Sequence, residues 1–355
     1  MTESTGTNLA PVKLIHVGVG RWGTDWQRNA IPPVGEVEGV AWVDPHESTL
    51  ETAKRVLDLP AERCFTSLTE AFAAVESEAV LITAPMTAHV PLALEALRAG
   101  EHVIVEKPFA GTVAEARQAV DVAAAEGLVL MVSQNYRFYP ASRTARRLIE
   151  EEALGPIHVV HIDFRKWGND FPVEGHRHYT FPHPLIYDMA IHHFDLMRMV
   201  LGKEATQIFV KTVSPEWSHF VDDPAAVMVV TFEDGTVVSY RGSWVSPGML
   251  TTWAGDWHIE CRDGEVYWTG REGGDVETAA DIVTVHRRGE LRPRPITLDR
   301  EALHGRSAGL ARFAHAIRTG EEPETSGRLN LASVAMMEAA LTSAETGQVV
   351  DIERP

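Results

Sequence analysis

The sequence predicts a doubly wound parallel α/β domain followed by an α+β domain with a large, open, mostly antiparallel sheet, on three observations. A glycine cluster, Gly18-Val19-Gly20-Arg21-Trp22-Gly23, directly follows the apolar run at residues 12–17. Up to about Ser133, short and nearly continuous apolar runs alternate with amphipathic stretches, the pattern of parallel strands buried on both faces. After Tyr136 the rhythm shifts to period-two alternation, which suits antiparallel strands with one covered face.

In the first part, residues 12–17, 40–43, 80–83, 102–105 and 128–132 read as strands, and residues 48–57, 68–75, 90–98 and 113–126 read as helices. Gly100 and Gly127 stand where two of those helices need a left-handed C-terminal residue. In the second part, residues 157–164, 205–213, 225–232, 236–245, 257–261, 265–268 and 282–286 read as strands. Glu233-Asp234-Gly235 and Arg262-Asp263-Gly264 supply tight turns between neighbours. Helices over 143–152, 185–201, 310–319 and 329–346 would cover one face, leaving the other to solvent or to another subunit. The expected domains are residues 1–134 and 135–355, with residues 1–10 as a flexible tail.

The 355 residues carry 32 basic and 50 acidic side chains, a net charge of −18 that opposes binding to nucleic acid or anionic membranes. No apolar run approaches the roughly 20 residues that span a bilayer. The two cysteines, Cys64 and Cys261, are too few for a disulfide framework and fit a reducing cytoplasm.

Chemistry enters at the glycine cluster. A strand that turns sharply into a helix needs Gly18 for the turn, Gly20 for close approach of a pyrophosphate and Gly23 for helix–strand packing. Asp44, which ends the next apolar run, can accept hydrogen bonds from both adenine-ribose hydroxyls, and its charge would repel a 2′-phosphate. With Pro45 and His46 following instead of an arginine, the cofactor expected is NAD rather than NADP.

Glu106-Lys107-Pro108 follows the strand at 102–105, so Lys107 should face the ligand crevice, although most lysines at loop starts are simply solvated. Thr83-Ala84-Pro85 is an expected wall for the nicotinamide ribose, while His89 is either a cofactor neighbour or an ordinary helix-start residue. Asp188, His192 and Asp195 share one face of an apolar helix, a stripe expected to line a cavity. Asp188 could orient His192 as a general base, or the two could form a structural pair. His193 points to the apolar face and reads as a core histidine. A metal site at His176, His178, His183, His192 and His193 is disfavoured because Arg177 places a cation between two of the ligands. Arg165 and Lys166, with His176-Arg177-His178, could instead bind an anionic substrate group, or be solvated loop residues.

Taken in order, Gly18 to Gly23, Asp44, Thr83-Ala84-Pro85 with His89, Glu106-Lys107-Pro108, Gln134 to Phe138, Asp188 with His192, and Thr325-Ser326-Gly327 resemble the glucose-fructose oxidoreductase / inositol dehydrogenase (Gfo/Idh/MocA) family over essentially the full length. The resemblance implies a Rossmann domain, a C-terminal sheet used in homo-oligomerisation, and a tightly held nicotinamide cofactor. It implies that Lys107 hydrogen-bonds a reacting sugar or cyclitol hydroxyl, that His192 exchanges its proton, and that Asp188 orients His192 or the substrate. It extends the cofactor-binding set to Arg21, Trp22, Thr83, Pro85, His89, Glu106 and Gln134. Phe164-Arg165-Lys166-Trp167 and His176-Arg177-His178-Tyr179 are individual to this chain, and Arg165, Lys166, His178 and Tyr179 from them, with Tyr136, are expected to bind and define the substrate. Two activities fit: an NAD-dependent dehydrogenase, and a redox-neutral NAD-dependent glycosidase that oxidises C3, eliminates the aglycone, adds water and re-reduces an anionic sugar.

Overall fold

The computed structural model describes residues 10–174, 177–272 and 277–355, so the expected tail and His176 lie outside the described residues, apart from Ala10. The chain divides into two compact units, Met1–Ser133 with Arg306–Leu329, and Gln134–Gly305 with Asn330–Pro355.

The first unit is built on β1 (Val12–Val17), β2 (Val37–Val43), β3 (Cys64–Phe65), β4 (Ala79–Ile82), β5 (His102–Val105) and β6 (Leu130–Val132). All pairings are parallel, in the order β3-β2-β1-β4-β5-β6, and the doubly wound prediction holds. β4 and β5 are almost wholly buried, which is why they read as unbroken apolar runs. The helices are α1 (Arg21–Asp25), α2 (Glu47–Leu57), α3 (Leu68–Ala74), α4 (Met86–Arg98) and α5 (Val113–Glu126). Ser67 and Thr112 cap α3 and α5, accepting the amides of Glu70 and Glu115 at 3.3 and 3.2 Å. A π-helical turn, Trp26–Ala30, continues α1.

The second unit carries a nine-stranded sheet: β7 (Ile157–Arg165), β8 (Ala205–Val213), β9 (Ala225–Phe232), β10 (Val237–Ser243), β11 (Asp256–Cys261), β12 (Gly264–Thr269), β13 (Ile282–Arg287), β14 (Arg294–Pro295) and β15 (Val350–Asp351). β7 and β10 pair in parallel, and the other pairs are antiparallel. Burial alternates residue by residue along β9, as its period-two pattern requires. The helices here are α6 (Pro140–Glu150), α7 (Arg177–Thr180) and α8 (Ile191–Leu201). Two helices close the chain: α9 (Gly305–Thr319), which lies in the first unit from Arg306 onward, and α10 (Gly327–Thr346), most of which lies in the second. The return of residues 306–329 to the first unit is absent from the sequence reading, because helix periodicity shows that a face is buried without showing against what. The segment is tied there by Arg318, whose guanidinium pairs with Glu78 at 2.5 Å, and by the Thr325 carbonyl, which accepts the Val132 amide at 2.8 Å.

One predicted element changes character. Residues 185–201 do not form one α-helix: Leu185–Ala190 is π-helical, and α8 begins at Ile191. No helix among the described residues is long and apolar enough to cross a membrane.

Candidate active site

In the first unit the glycine turn has the geometry its sequence implies. Gly18 has φ +89°, and a Cβ there would lie 2.5 Å from the Ala84 nitrogen, so the turn depends on glycine twice over. A Cβ on Gly23 would lie 2.0 Å from the Gly18 carbonyl oxygen. Around Gly20 nothing lies within 4 Å of where a Cβ would be, and the space beside its backbone stays open.

Buried side chains fix this turn from beneath. The Gln27 amide donates to His16 Nδ1 at 2.7 Å, leaving Nε2–H to donate to Thr83 Oγ1 at 2.9 Å, while the Thr83 hydroxyl donates to the Gly18 carbonyl at 2.7 Å. Complete burial pushes His16 down to about 3, so this neutral tautomer persists at working pH. Asp44 is buried at the end of β2, with Oδ1 accepting the His46 amide at 3.1 Å.

The loops after β4 and β5 are strapped together by His89. Its Nδ1 lies 2.7 Å from the Pro108 carbonyl and its Nε2 lies 2.8 Å from the Ala84 carbonyl. Burial pushes this imidazole down, whereas the two carbonyls favour its protonated form. In its neutral form the ring donates to one of these two carbonyls, the tautomer deciding which, and His89 lies between the segments that carry Pro85 and Lys107. Glu106 is buried too: Oε1 accepts the Trp26 indole N–H at 2.8 Å and Oε2 accepts the Lys107 amide at 3.1 Å.

In the second unit His192 is buried in the first turn of α8 and stacks on Tyr136, with ring centroids 3.9 Å apart and planes 6° apart. Burial pushes the Tyr136 phenol well up, so it stays protonated. Asp188 Oδ2 lies 3.3 Å from His178 Nε2. Gln134 is 1% exposed, and neither polar atom of its side-chain amide has a hydrogen-bond partner among the described residues. Such a group favours a ligand that can pair with it.

Three sequence expectations need correcting. Asp195 does not line a cavity with Asp188 and His192, since it is buried in a bidentate pair with Arg137, at 2.5 and 2.7 Å, and accepts from Ser333 at 3.0 Å. The π-helical turn before Ile191 also breaks the α-helical spacing that put the three on one stripe. Lys166 is no isolated cation: its ammonium pairs with Glu272 and lies 4.4 Å from the Trp253 ring centroid. Tyr179 is buried among Phe171, His219 and Phe220 and donates to the Phe171 carbonyl at 3.1 Å, which makes it a packing residue. Arg165 remains half exposed, 4.0 Å from Asp256. His193 is the expected core residue, with Nδ1 3.0 Å from the Tyr240 hydroxyl and Nε2 3.1 Å from the Trp253 carbonyl, and burial pushes it down to about 4.

The sequence reading missed Trp26, Trp253, Arg271 and Arg306. Arg271 has a left-handed backbone, φ +62°, held by its amide donating to Asp281 at 2.8 Å. Its guanidinium lies 4.9 Å from the Tyr136 ring centroid and 5.5 Å from that of Trp253, beside the ring that carries His192. The one available signal was the glycine-rich stretch Gly270-Arg271-Glu272-Gly273-Gly274 after a strand. No group of three His, Cys, Asp or Glu able to hold a metal occurs among the described residues.

The open backbone at Gly20, the glycine-dependent turn beneath it and a buried carboxylate ending β2 fit a dinucleotide, and they define the first unit as an NAD-binding Rossmann domain of the oxidoreductase class. Family models match both parts of the chain: the oxidoreductase family NAD-binding Rossmann fold over residues 12–134, and the GFO/IDH/MocA C-terminal domain over residues 142–266. The chain belongs to the GFO/IDH/MocA oxidoreductase family.

Among its relatives are D-apiose dehydrogenase of Paraburkholderia graminis, 26% identical over 99% of this chain and 92% of that protein, and myo-inositol 2-dehydrogenase of Thermotoga maritima, 23% identical over 95% and 97%. The fold is shared with the WlbA dehydrogenase of Bordetella pertussis, solved in complex with NADH and UDP-GlcNAcA, at TM-score 0.79 and 20% identity, over 97% of this chain and all of that one.

Proposed function

We propose that this protein is an NAD-dependent dehydrogenase acting on a secondary hydroxyl of a sugar, cyclitol or sugar derivative. The observation that carries this reading is His192, buried at the start of α8 and held flat against Tyr136, in a chain whose relatives include a sugar and a cyclitol dehydrogenase. When bound, the nicotinamide supplies the acceptor for the hydride that leaves the hydroxyl-bearing carbon. Lys107 donates to the reacting oxygen and stabilises the charge that grows on it. His192 takes the hydroxyl proton, and Asp188 orients the substrate or the imidazole. Asp44 selects NAD by accepting from the ribose hydroxyls, and Gln134 offers its amide to the bound cofactor.

The redox-neutral glycosidase is the weaker reading. Of the groups that would serve its additional steps, Tyr136, Arg165, His178 and Tyr179, two are already engaged, His178 beside Asp188 and Tyr179 with the Phe171 carbonyl. An anionic substrate group would fall to Arg165, the less compensated cation. The reducing cytoplasm remains our proposed location, on the two free cysteines. Homo-oligomerisation through the open sheet is supported by Val213, Val227 and Val229, which expose apolar surface on β8 and β9.

The experiment is a panel of neutral sugars, cyclitols, sugar acids and glycosides of these sugars with NAD, following NADH by absorbance and product or released aglycone by chromatography. A dehydrogenase forms one NADH per product, whereas aglycone release without net NADH would establish the glycosidase. Arg165→Ala should raise KM selectively for a sugar acid if that cation reads substrate charge, and Lys166→Ala should not. Equal KM changes for acidic and neutral sugars would leave a neutral substrate.

A further inference from the structure

A series of side-chain contacts in the first unit runs from the glycine turn to the backbone of Lys107. Trp22, inside the Gly18 to Gly23 loop, is 42% exposed and lies against Arg306, whose guanidinium is 4.4 Å from its ring centroid. The same guanidinium is 5.3 Å from the ring centroid of Trp26, one turn further on, and pairs with Asp25 between them. Arg306 enters from the first turn of α9 and is itself buried. Trp26 is fully buried and spends its indole N–H on Glu106 Oε1 at 2.8 Å, while Glu106 Oε2 accepts the amide of Lys107 at 3.1 Å.

We propose that Trp26 and Arg306 are positioning residues that couple the dinucleotide loop to Lys107. The inference rests on the reading above, in which Lys107 meets the substrate hydroxyl. Glu106 is the pivot. Held at both oxygens, its carboxylate has one orientation and fixes the backbone from which Lys107 departs. Without the indole donor, one buried oxygen loses its hydrogen bond and the carboxylate can turn toward the neighbouring charge of Lys107. His89, whose imidazole burial pushes down, is the other titratable group beside Glu106 and Lys107. At the far end Arg306 and Asp25 compensate each other, so Arg306 acts on Trp26 mainly by packing. Trp22 and Trp26 share this one guanidinium, so a displacement of Trp22, in the first turn of α1, would be passed through Arg306 to the indole that holds Glu106. Trp26 opens the π-helical turn that continues α1, and its ring is buried.

Trp26→Phe keeps the buried ring and removes only the donor. The test reads the rate of Lys107 acylation at one pH by mass spectrometry with and without NAD, the Kd for NAD by calorimetry, and kcat on the sugar or cyclitol that gives turnover. In the wild type, NAD is expected to slow Lys107 acylation. In Trp26→Phe that protection should shrink by at least half, kcat should fall about 10- to 100-fold, the scale of a misplaced catalytic group, and Kd should stay within about threefold. Arg306→Leu should weaken NAD binding and also shrink the protection. Should Trp26→Phe fail to fold, Glu106→Gln, which keeps the shape and removes the charge, is read by protection and kcat alone. Protection and kcat equal to wild type in the folded variant would overturn the coupling. Lys107→Met separates the two claims: full turnover in that variant would refute the role of Lys107, whereas lost turnover beside a normal Trp26→Phe would refute the coupling alone.

Discussion

Tyr136 lies flat on His192, with ring centroids 3.9 Å apart and planes 6° apart, so the imidazole that the account makes its proton acceptor has its plane set by a neighbouring ring. The guanidinium of Arg271 sits 4.9 Å from the same Tyr136 centroid, and burial keeps the phenol protonated. We therefore expect Tyr136 to act as a platform and not as a second base. Replacing it with leucine removes a contact of about 0.5 to 1.5 kcal/mol. We expect kcat to fall by roughly tenfold or less with NAD affinity unchanged, measured by steady-state kinetics and calorimetry. A loss as deep as that of His192→Ala would show that the hydroxyl takes part directly.

Cofactor choice follows from Asp44. The wild type should bind NAD more tightly than NADP, and Asp44→Ala should weaken NAD while narrowing the gap, because one change removes both the ribose acceptor and the charge that repels a 2′-phosphate. Calorimetry with the two cofactors decides it, and equal or tighter NADP binding by the wild type would refute the assignment.

Two buried histidines make stability depend on pH. His16 and His193 are pushed down to about 3 and about 4 by burial, below the value of about 6.5 that each has in the unfolded chain. Between those limits the unfolded chain binds protons that the folded one does not. Their contribution is therefore complete above pH 6.5 and is lost as the pH falls toward 4, by about 1.4 kcal/mol per pH unit for each histidine. Urea denaturation at pH 7.5, 6 and 5 should show the decline, and His193→Gln should reduce its slope. Constant stability from pH 7.5 to 5 would contradict this.

The Arg137–Asp195 pair is structural. Asp195→Asn leaves a buried guanidinium without its counter-charge and should cost about 3 to 5 kcal/mol of unfolding free energy. Denaturant midpoints measure this loss, and a change below about 1 kcal/mol would return Asp195 to a functional role.

The parts of the fold that were legible were those where one local rule decides. Gly18 and Gly127 mark positive φ because only glycine is free there, and the apolar runs at β4 and β5 are unbroken because both faces are covered. What escaped depends on partners distant in the sequence. Asp195 reads as a cavity residue until Arg137 and Ser333 are seen to take both of its oxygens. Lys166 reads as an anion receptor until Glu272 is placed beside it. Arg306 carries no motif at all, and only the return of α9 to the first unit brings it to Trp22 and Trp26. The π-helical turn at Leu185–Ala190 was hidden because its residues suit an α-helix equally well.

The central claim is that Lys107 and His192 carry out hydride-coupled oxidation of a sugar or cyclitol hydroxyl. Its most direct test is NADH formation from the best substrate of the panel, measured for wild type, Lys107→Met and His192→Ala at neutral pH. One NADH per oxidised product is expected in the wild type and a loss of about 100-fold or more in each variant, with NAD affinity changed far less. Full turnover in either variant, or product formed with no NADH, would contradict it.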